Sequence, residues 1–217
     1  MSPVVPPSLL FQFTQLIPRI SELPRRKGDL LQLPPAAELF VPARLNDQQA
    51  PLQIRCGWNE QGLGIDLRVK GRKHPAAGRS TAVTSSDRVL LSFDTRHTAG
   101  VHRITSWCTS LLVLPQDEDN QGTAQIRLKE FGQPKDSFGL PTPGSRVQFD
   151  QAPDGYRLQL WIPAAAMAGY AEVPEIGRMG IYCVVEDTEL GTLPLNVSGD
   201  FPISLDPSTW LSIELAR

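Results

Sequence analysis

The stretch Leu52-Gln53-Ile54-Arg55-Cys56-Gly57-Trp58-Asn59-Glu60-Gln61-Gly62-Leu63-Gly64-Ile65-Asp66-Leu67-Arg68-Val69-Lys70 decides the fold class. Leu52, Ile54, Cys56 and Trp58 alternate with Gln53, Arg55 and Gly57. Beyond the turn Asn59-Glu60-Gln61-Gly62, Leu63, Ile65, Leu67 and Val69 alternate with Gly64, Asp66, Arg68 and Lys70. A period of two sends successive side chains to opposite faces of an extended chain. Two such runs around a short glycine-containing loop predict a β-hairpin with one buried face.

Working outward, the same period returns in Val89, Leu91 and Phe93, which alternate with Leu90, Ser92 and Asp94. Further strands are predicted at 104–114, 123–131, 145–150, 155–162, 178–186 and 210–215, beside the one at 87–94. Pro163-Ala164-Ala165-Ala166-Met167-Ala168-Gly169 predicts one short helix, with proline at its first position and glycine at its end. Twenty prolines and 17 glycines in 217 residues suit a chain cut into short strands by turns. The fold class is therefore all-β: a mostly antiparallel β-sandwich of the immunoglobulin-like or jelly-roll type, with at most one short helix. Residues 46–217 form a single sandwich domain in this reading. Residues 1–45 are proline-rich and form an extended arm; Leu9, Leu10, Phe11, Phe13, Leu16 and Ile17 need burial, so the arm packs on the domain.

Charge and cysteine content narrow the function classes. A formal net charge of −2 gives a polyanion no general attraction, so nucleic acid is not an expected partner. No apolar run reaches membrane-spanning length, and residues 1–24 lack the basic start of a secretory signal, so a cytoplasmic protein with no membrane partner is expected. Cys56, Cys108 and Cys183 lie in apolar or aromatic runs without CxxC spacing. They read as buried free thiols, not as a disulfide framework or zinc site. Nucleotide-binding glycine loops, HExxH and Gly-x-Ser-x-Gly are absent, so no enzyme signature is present.

The order of the pieces resembles the family 9 carbohydrate-binding modules and the wider DOMON-like β-sandwiches, in particular uncharacterised bacterial members. The residues that carry the resemblance are Cys56-Gly57-Trp58-Asn59-Glu60-Gln61-Gly62-Leu63, Ser86-Asp87, Phe93-Asp94-Thr95-Arg96, Val101-His102-Arg103, Gly155-Tyr156-Arg157-Leu158-Gln159-Leu160-Trp161-Ile162-Pro163 and Asp206-Pro207-Ser208-Thr209-Trp210. It spans the chain from about Pro51 onward. It implies a non-catalytic module that binds a saccharide. The acid common in the family's Y-x-x-E strand is Gln159 here, and the methionines offer little for the axial haem ligation of the DOMON-like branch.

Saccharide binding needs flat aromatic faces for the pyranose C–H surface and fixed polar groups for its hydroxyls. Strand parity puts Trp58 with the core residues. Trp161 shares a face with Arg157 and Gln159, and Trp210 shares one with Ser212 and Glu214, so both are outward-facing stacking candidates. The same pattern arises when the arm or a loop covers such a ring, which gives ordinary packing. Trp107 is ambiguous. The strand end Asp94-Thr95-Arg96-His97 supplies a polar cluster: Asp94, Arg96, His97 and Gln159 are the candidates for binding sugar hydroxyls, against a loop-closing ion pair among Asp94, Arg96 and Arg103. No cofactor is expected, and a structural calcium beneath the acidic turn Asp117-Glu118-Asp119-Asn120 is compatible with the sequence. Two functions stay open: a saccharide-binding module, or a structural or protein-interaction sandwich without a sugar site. A small-ligand sensor or an enzyme without a recognisable motif is a third, weaker reading.

Overall fold

The structure, a computed structural model, describes residues 13–42, 45, 51–195 and 203–216. Twelve strands follow one another: β1 (Thr14–Ile17), β2 (Leu52–Asn59), β3 (Gly62–Lys70), β4 (Arg88–Asp94), β5 (Cys108–Leu114), β6 (Gln125–Leu128), β7 (Leu140–Pro141), β8 (Arg146–Ala152), β9 (Gly155–Pro163), β10 (Arg178–Asp187), β11 (Gly191–Pro194) and β12 (Leu211–Leu215). They make two sheets. The larger has the order β1-β12-β10-β4-β5-β6-β7, and the smaller the order β2-β3-β9-β8. Strand β10 is long enough to pair twice along one edge, with β12 through residues 178–181 and with β11 through residues 184–187. Among the described residues every strand pair is antiparallel except β1 with β12.

Alternation decides which side chains meet between the sheets. Val89, Leu91 and Phe93 of β4, Ile181, Cys183 and Val185 of β10, and Leu111 and Val113 of β5 face Ile54, Cys56 and Trp58 of β2, Leu63, Ile65 and Leu67 of β3, and Leu158, Leu160 and Ile162 of β9 in one core. Each such side chain taken wholly out of water contributes about 1.5–3 kcal/mol. The hairpin forms as its pattern requires: Leu52 pairs with Val69, Cys56 with Ile65 and Asn59 with Gly62.

Some local expectations shift. The strand read at 104–114 begins at Cys108, because the Cys108 N–H bonds to the Thr105 carbonyl at 3.1 Å and closes a turn there. The alanines after Pro163 make a single 3-10 turn, Ala164–Ala166. Among the described residues the α-helix is Val173–Ile176 instead, ended by Gly177 in the left-handed region at φ +80°. Strands β1, β7 and β11 are too short for a period of two to register. Cys108 is half-buried, and Cys56 and Cys183 are buried, all three free; burial pushes the Cys56 and Cys183 thiols up to about 12.

The described N-terminal segment, residues 13–42, runs across the outside of the smaller sheet, and Leu9, Leu10 and Phe11 lie outside the described residues. Strand β1 pairs with β12. The Trp58 N–H then bonds to the Pro18 carbonyl at 3.1 Å, the Ile20 N–H to the Trp58 carbonyl at 2.8 Å, and the Leu39 N–H to the Ile54 carbonyl at 2.9 Å. Gly57 and Gly64 are register partners on that outer face. A Cβ at Gly57 would sit 2.9 Å from Ile20 Cδ1, and one at Gly64 would sit 3.0 Å from Leu31 Cδ2. The two glycines thus leave a trough in which the segment's aliphatic side chains lie directly on the sheet backbone.

Candidate functional site

Trp161 and Gln159 lie on the outer face of the smaller sheet, as parity requires, but they do not meet solvent. Trp161 is 4% exposed and packs with Leu23, Leu30, Leu31, Leu33 and Ala37 of the N-terminal segment. Gln159 is fully buried, and its Oε1 accepts the Leu31 N–H at 2.8 Å. Gln148 Oε1 accepts the Leu30 N–H at 2.9 Å, and Asn59 Nδ2 donates to the Leu23 carbonyl at 2.8 Å. The amides that alternate outward satisfy the backbone of a covering chain, which needs partners once buried. The expectation of an exposed stacking ring at Trp161, with Gln159 free for sugar hydroxyls, is therefore corrected.

The strand-end cluster also turns inward. Asp94 is buried and accepts the Arg96 N–H at 3.0 Å. The Arg96 side chain leaves Asp94 for Glu172, at 2.9 Å, and lies 3.8 Å above the Trp107 ring. His97 adopts φ +39° and folds back over Gly180, where a Cβ would stand 2.5 Å from His97 Nδ1. Burial pushes the His97 pKa down; Asp94 opposes this and Arg178 adds to it. The anticipated Asp94–Arg96 ion pair is thus replaced by an Arg96–Glu172 pair, because the strand-end turn aims the guanidinium at the 169–172 segment. Trp107, 38% exposed, is the one tryptophan with substantial solvent contact, and its ring is held by Arg96 and by close approach of Gly169.

Trp210 lies on the outer face of the larger sheet, on the opposite side of the sandwich from Trp161. It too is covered, at 4% exposure. Its Nε1–H donates to the Ile203 carbonyl at 2.7 Å. Tyr182 stacks against it with ring centroids 6.2 Å apart and planes at 24°, and Phe131 at 6.4 Å and 22°. Trp210 is therefore a hub between two rings and not a platform, which corrects the second stacking assignment. Parity reports the face a side chain leaves from. It is blind to residues 131, 182 and 203 arriving from elsewhere.

What Trp210 supports is a groove of about 430 Å³ across the middle of the larger sheet. Register builds its floor in rows. Tyr182, Ser92 and Ser110 stand side by side on β10, β4 and β5, and Val184, Leu90 and Leu112 form the next row. Arg88 and Glu186, again register partners, close one end. Ser92 Oγ donates to Ser110 Oγ at 3.1 Å. One wall is the loop after β6, carrying Glu130, Phe131, Gln133 and Lys135. Lys129 shapes that wall by donating to the carbonyls of Pro134, Lys135 and Ser137 at 3.1, 3.2 and 3.0 Å. Its pKa is lowered, by burial first and by Arg88 second, with Asp136 opposing. Burial raises the Tyr182 phenol to about 12, so it remains a neutral hydroxyl. Tyr182, Ser92, Ser110 and Phe131 were not singled out from the sequence. The signal that could have found them was the outward parity of β4, β5 and β10, read together instead of strand by strand.

The acids of the 117–119 turn and the buried pair Asp87 and Asp187 are occupied by protein partners. Asp117 Oδ1 accepts the Ser80 N–H at 2.9 Å, and Asp119 Oδ2 the Thr81 N–H at 3.0 Å, so this turn clamps the 79–81 loop. Asp87 and Asp187, both fully buried side chains, share the buried Arg72 guanidinium. Among the described residues no cluster of three or more His, Cys, Asp or Glu side chains is arranged to hold a metal ion. Among those residues, too, no helix is long and apolar enough to cross a membrane.

Solved structures share this two-sheet architecture. A family 9 module from Caldicellulosiruptor kristjanssonii in complex with cellotriose has a TM-score of 0.58 over 94% of this chain and 93% of its own, at 13% sequence identity. The glucose complex of a family 9 module from the same organism gives 0.57 at 13% identity, covering 94% of this chain and 96% of that one. A protein from Bacteroides uniformis, described as a carbohydrate-binding candidate, gives 0.50 at 11% identity, with 94% and 99% coverage. The fold is thus that of the family 9 carbohydrate-binding modules. No protein-family model matches the chain, and no curated protein matches it in sequence.

Proposed function

We propose that this chain is a non-catalytic saccharide-binding module and that the groove on the larger sheet is its binding site. The observation that carries the reading is that groove's floor, where the Tyr182 ring lies beside the Ser92 and Ser110 hydroxyls within a family 9 fold. A pyranose offers an apolar C–H face and a rim of hydroxyls. Tyr182 and Phe131 meet the first, and Ser92, Ser110, Arg88, Glu186 and Gln133 meet the second. Arg88 and Glu186 give charge-assisted bonds, which fix orientation better than neutral ones. The similar structures hold glucose and cellotriose, so gluco-configured sugars are the first to test.

The test is calorimetric titration of the full chain with glucose, cellotriose and other mono- and oligosaccharides, alongside Tyr182→Ala and Tyr182→Phe. Saturable binding is expected, weakened about tenfold or more in Tyr182→Ala and largely kept in Tyr182→Phe, since the ring face carries the contact. Absence of binding to every sugar by folded protein, or binding indifferent to Tyr182→Ala, rejects the reading. A protein-interaction domain is the second reading. It is favoured by the burial of both outward tryptophans, and a pull-down that captures one partner from a sugar-blind protein would support it.

A further inference from the structure

We propose that the basic loop of the N-terminal segment and Arg146 form a separate site for an oxyanion: a phosphate or sulfate group, either free or esterified to a sugar. This site lies on the other sheet from the groove and does not depend on it. The loop Arg25-Arg26-Lys27-Gly28-Asp29 is closed by the Arg25 N–H, which bonds to the Leu30 carbonyl at 3.0 Å. Gly28 makes the turn at φ +75°, a conformation that glycine adopts without steric cost. The loop is pinned to β8 twice: Arg146 Nη1 donates to the Arg25 carbonyl at 3.2 Å, and Gln148 takes the Leu30 N–H at 2.9 Å. Arg25 is further held by its bond to Gln32.

Around this frame is a hollow of about 580 Å³, lined by Arg25, Arg26, Lys27 and Arg146 with the single carboxylate of Glu22. The size suits a sugar ester and exceeds what a bare ion fills. The charge pattern is the stronger point. Elsewhere among the described residues seven arginines, Arg68 included, pair with a carboxylate, while Arg88, Arg103, Arg127 and Arg178 do not. Among the described residues, Arg25, Arg26, Lys27 and Arg146 have no such pair, and the loop's own Asp29 is drawn away to Arg157 at 2.8 Å. Four cationic residues thus line one hollow against a single carboxylate, in a chain whose net charge is −2. An oxyanion would supply these cations with a countercharge, and guanidinium forks match its oxygens two at a time.

The experiment titrates the full chain with glucose 6-phosphate, glucose 6-sulfate, inorganic phosphate and inorganic sulfate, with neutral glucose in parallel. The variant is the double substitution Arg26→Glu and Lys27→Glu, at exposed positions that leave packing intact. The expected result is saturable binding of the esters that weakens between about 50 and about 300 mM salt. It should fall about tenfold or more in the double variant while the response to neutral glucose stays unchanged. Inorganic ions binding as tightly as the esters would support the site and assign it to free oxyanions. No saturable binding of any of the four anions, or binding that survives the double variant, overturns the proposal. Capture by anionic vesicles or DNA in preference to all four, lost in the same variant, overturns the small-ligand assignment.

Discussion

The two outer faces of the sandwich begin alike and end differently. Each carries one outward tryptophan and a set of outward polar side chains. On the smaller sheet the row Gly57, Gly64, Trp161 leaves a trough, and Leu23, Leu31 and Leu33 fill it. On the larger sheet the row Tyr182, Ser92, Ser110 has no glycine gap, and the space above it stays open as a groove. What separates them is complementarity to a peptide. Asn59, Gln148 and Gln159 hold the peptide groups of residues 23, 30 and 31, whereas the hydroxyls of Ser92 and Ser110 turn to each other. An outward amide beside a glycine trough therefore marks a receptor for the chain's own backbone, and an outward hydroxyl row beside an aromatic marks a surface left for something else.

Truncating Trp161 should give the largest effect. Trp161→Ala empties the centre of the covered cluster, and the expected loss of stability is about 3–5 kcal/mol by urea unfolding, with saccharide affinity of the folded fraction unchanged. If sugar binding disappears while stability holds, the faces have been assigned the wrong way round. Gly64→Val should follow. Its new side chain would meet Leu31 and Leu23 at 3.0–3.3 Å from the first carbon alone, so the segment must lift, at about 1–3 kcal/mol. An unchanged unfolding midpoint would mean that the trough does not seat the segment. Gln159→Leu keeps the volume and strands the Leu31 N–H, for about 1–3 kcal/mol. Amide hydrogen exchange at Leu31, accelerated in this variant relative to Leu39, would localise the loss.

These contrasts also explain what the sequence could reveal. The hairpin at 52–70 and most of the strands were legible because a period of two repeats over seven to ten residues in β2, β3, β4, β9 and β10. The outward direction of Trp161 and Trp210 was legible for the same reason. Their covering by the arm or a loop was the open alternative, and no local pattern decides it: beside Trp161 it depends on contacts 128 residues apart in sequence, as between Gln159 and Leu31, and at Trp210 on Phe131, Tyr182 and Ile203. The groove was hidden for a related cause: Tyr182, Ser92 and Ser110 are ordinary residues one strand at a time, and only register makes them a row. Arg96 misled because a strand-end arginine beside Asp94 looks paired, while the turn directs it to Glu172.

The smallest effect concerns the two ends of the larger sheet, and pH separates them. At one end Asp87 is buried, which alone would raise its pKa. Bonds from Arg72, Thr188 and Ala77 outweigh this and hold it below the usual carboxylate range. Its contribution to stability is complete above the unfolded value of about 3.9 and is lost as pH falls through the folded value. At the other end His97 is kept neutral, chiefly by burial, with a folded pKa below its unfolded value of about 6.5. The unfolded chain therefore binds the proton first. Stability from this residue is complete above about pH 6.5 and declines as pH falls from there toward the folded value. Melting temperature should thus show a shallow first decline below about pH 6.5, ahead of the steeper acid limb. His97→Asn suits the test, since asparagine tolerates the φ of +39° and carries no titrating proton. The variant should lose the first decline and keep the acid limb. The same decline between pH 6.5 and 5 in both proteins would remove His97 as its source.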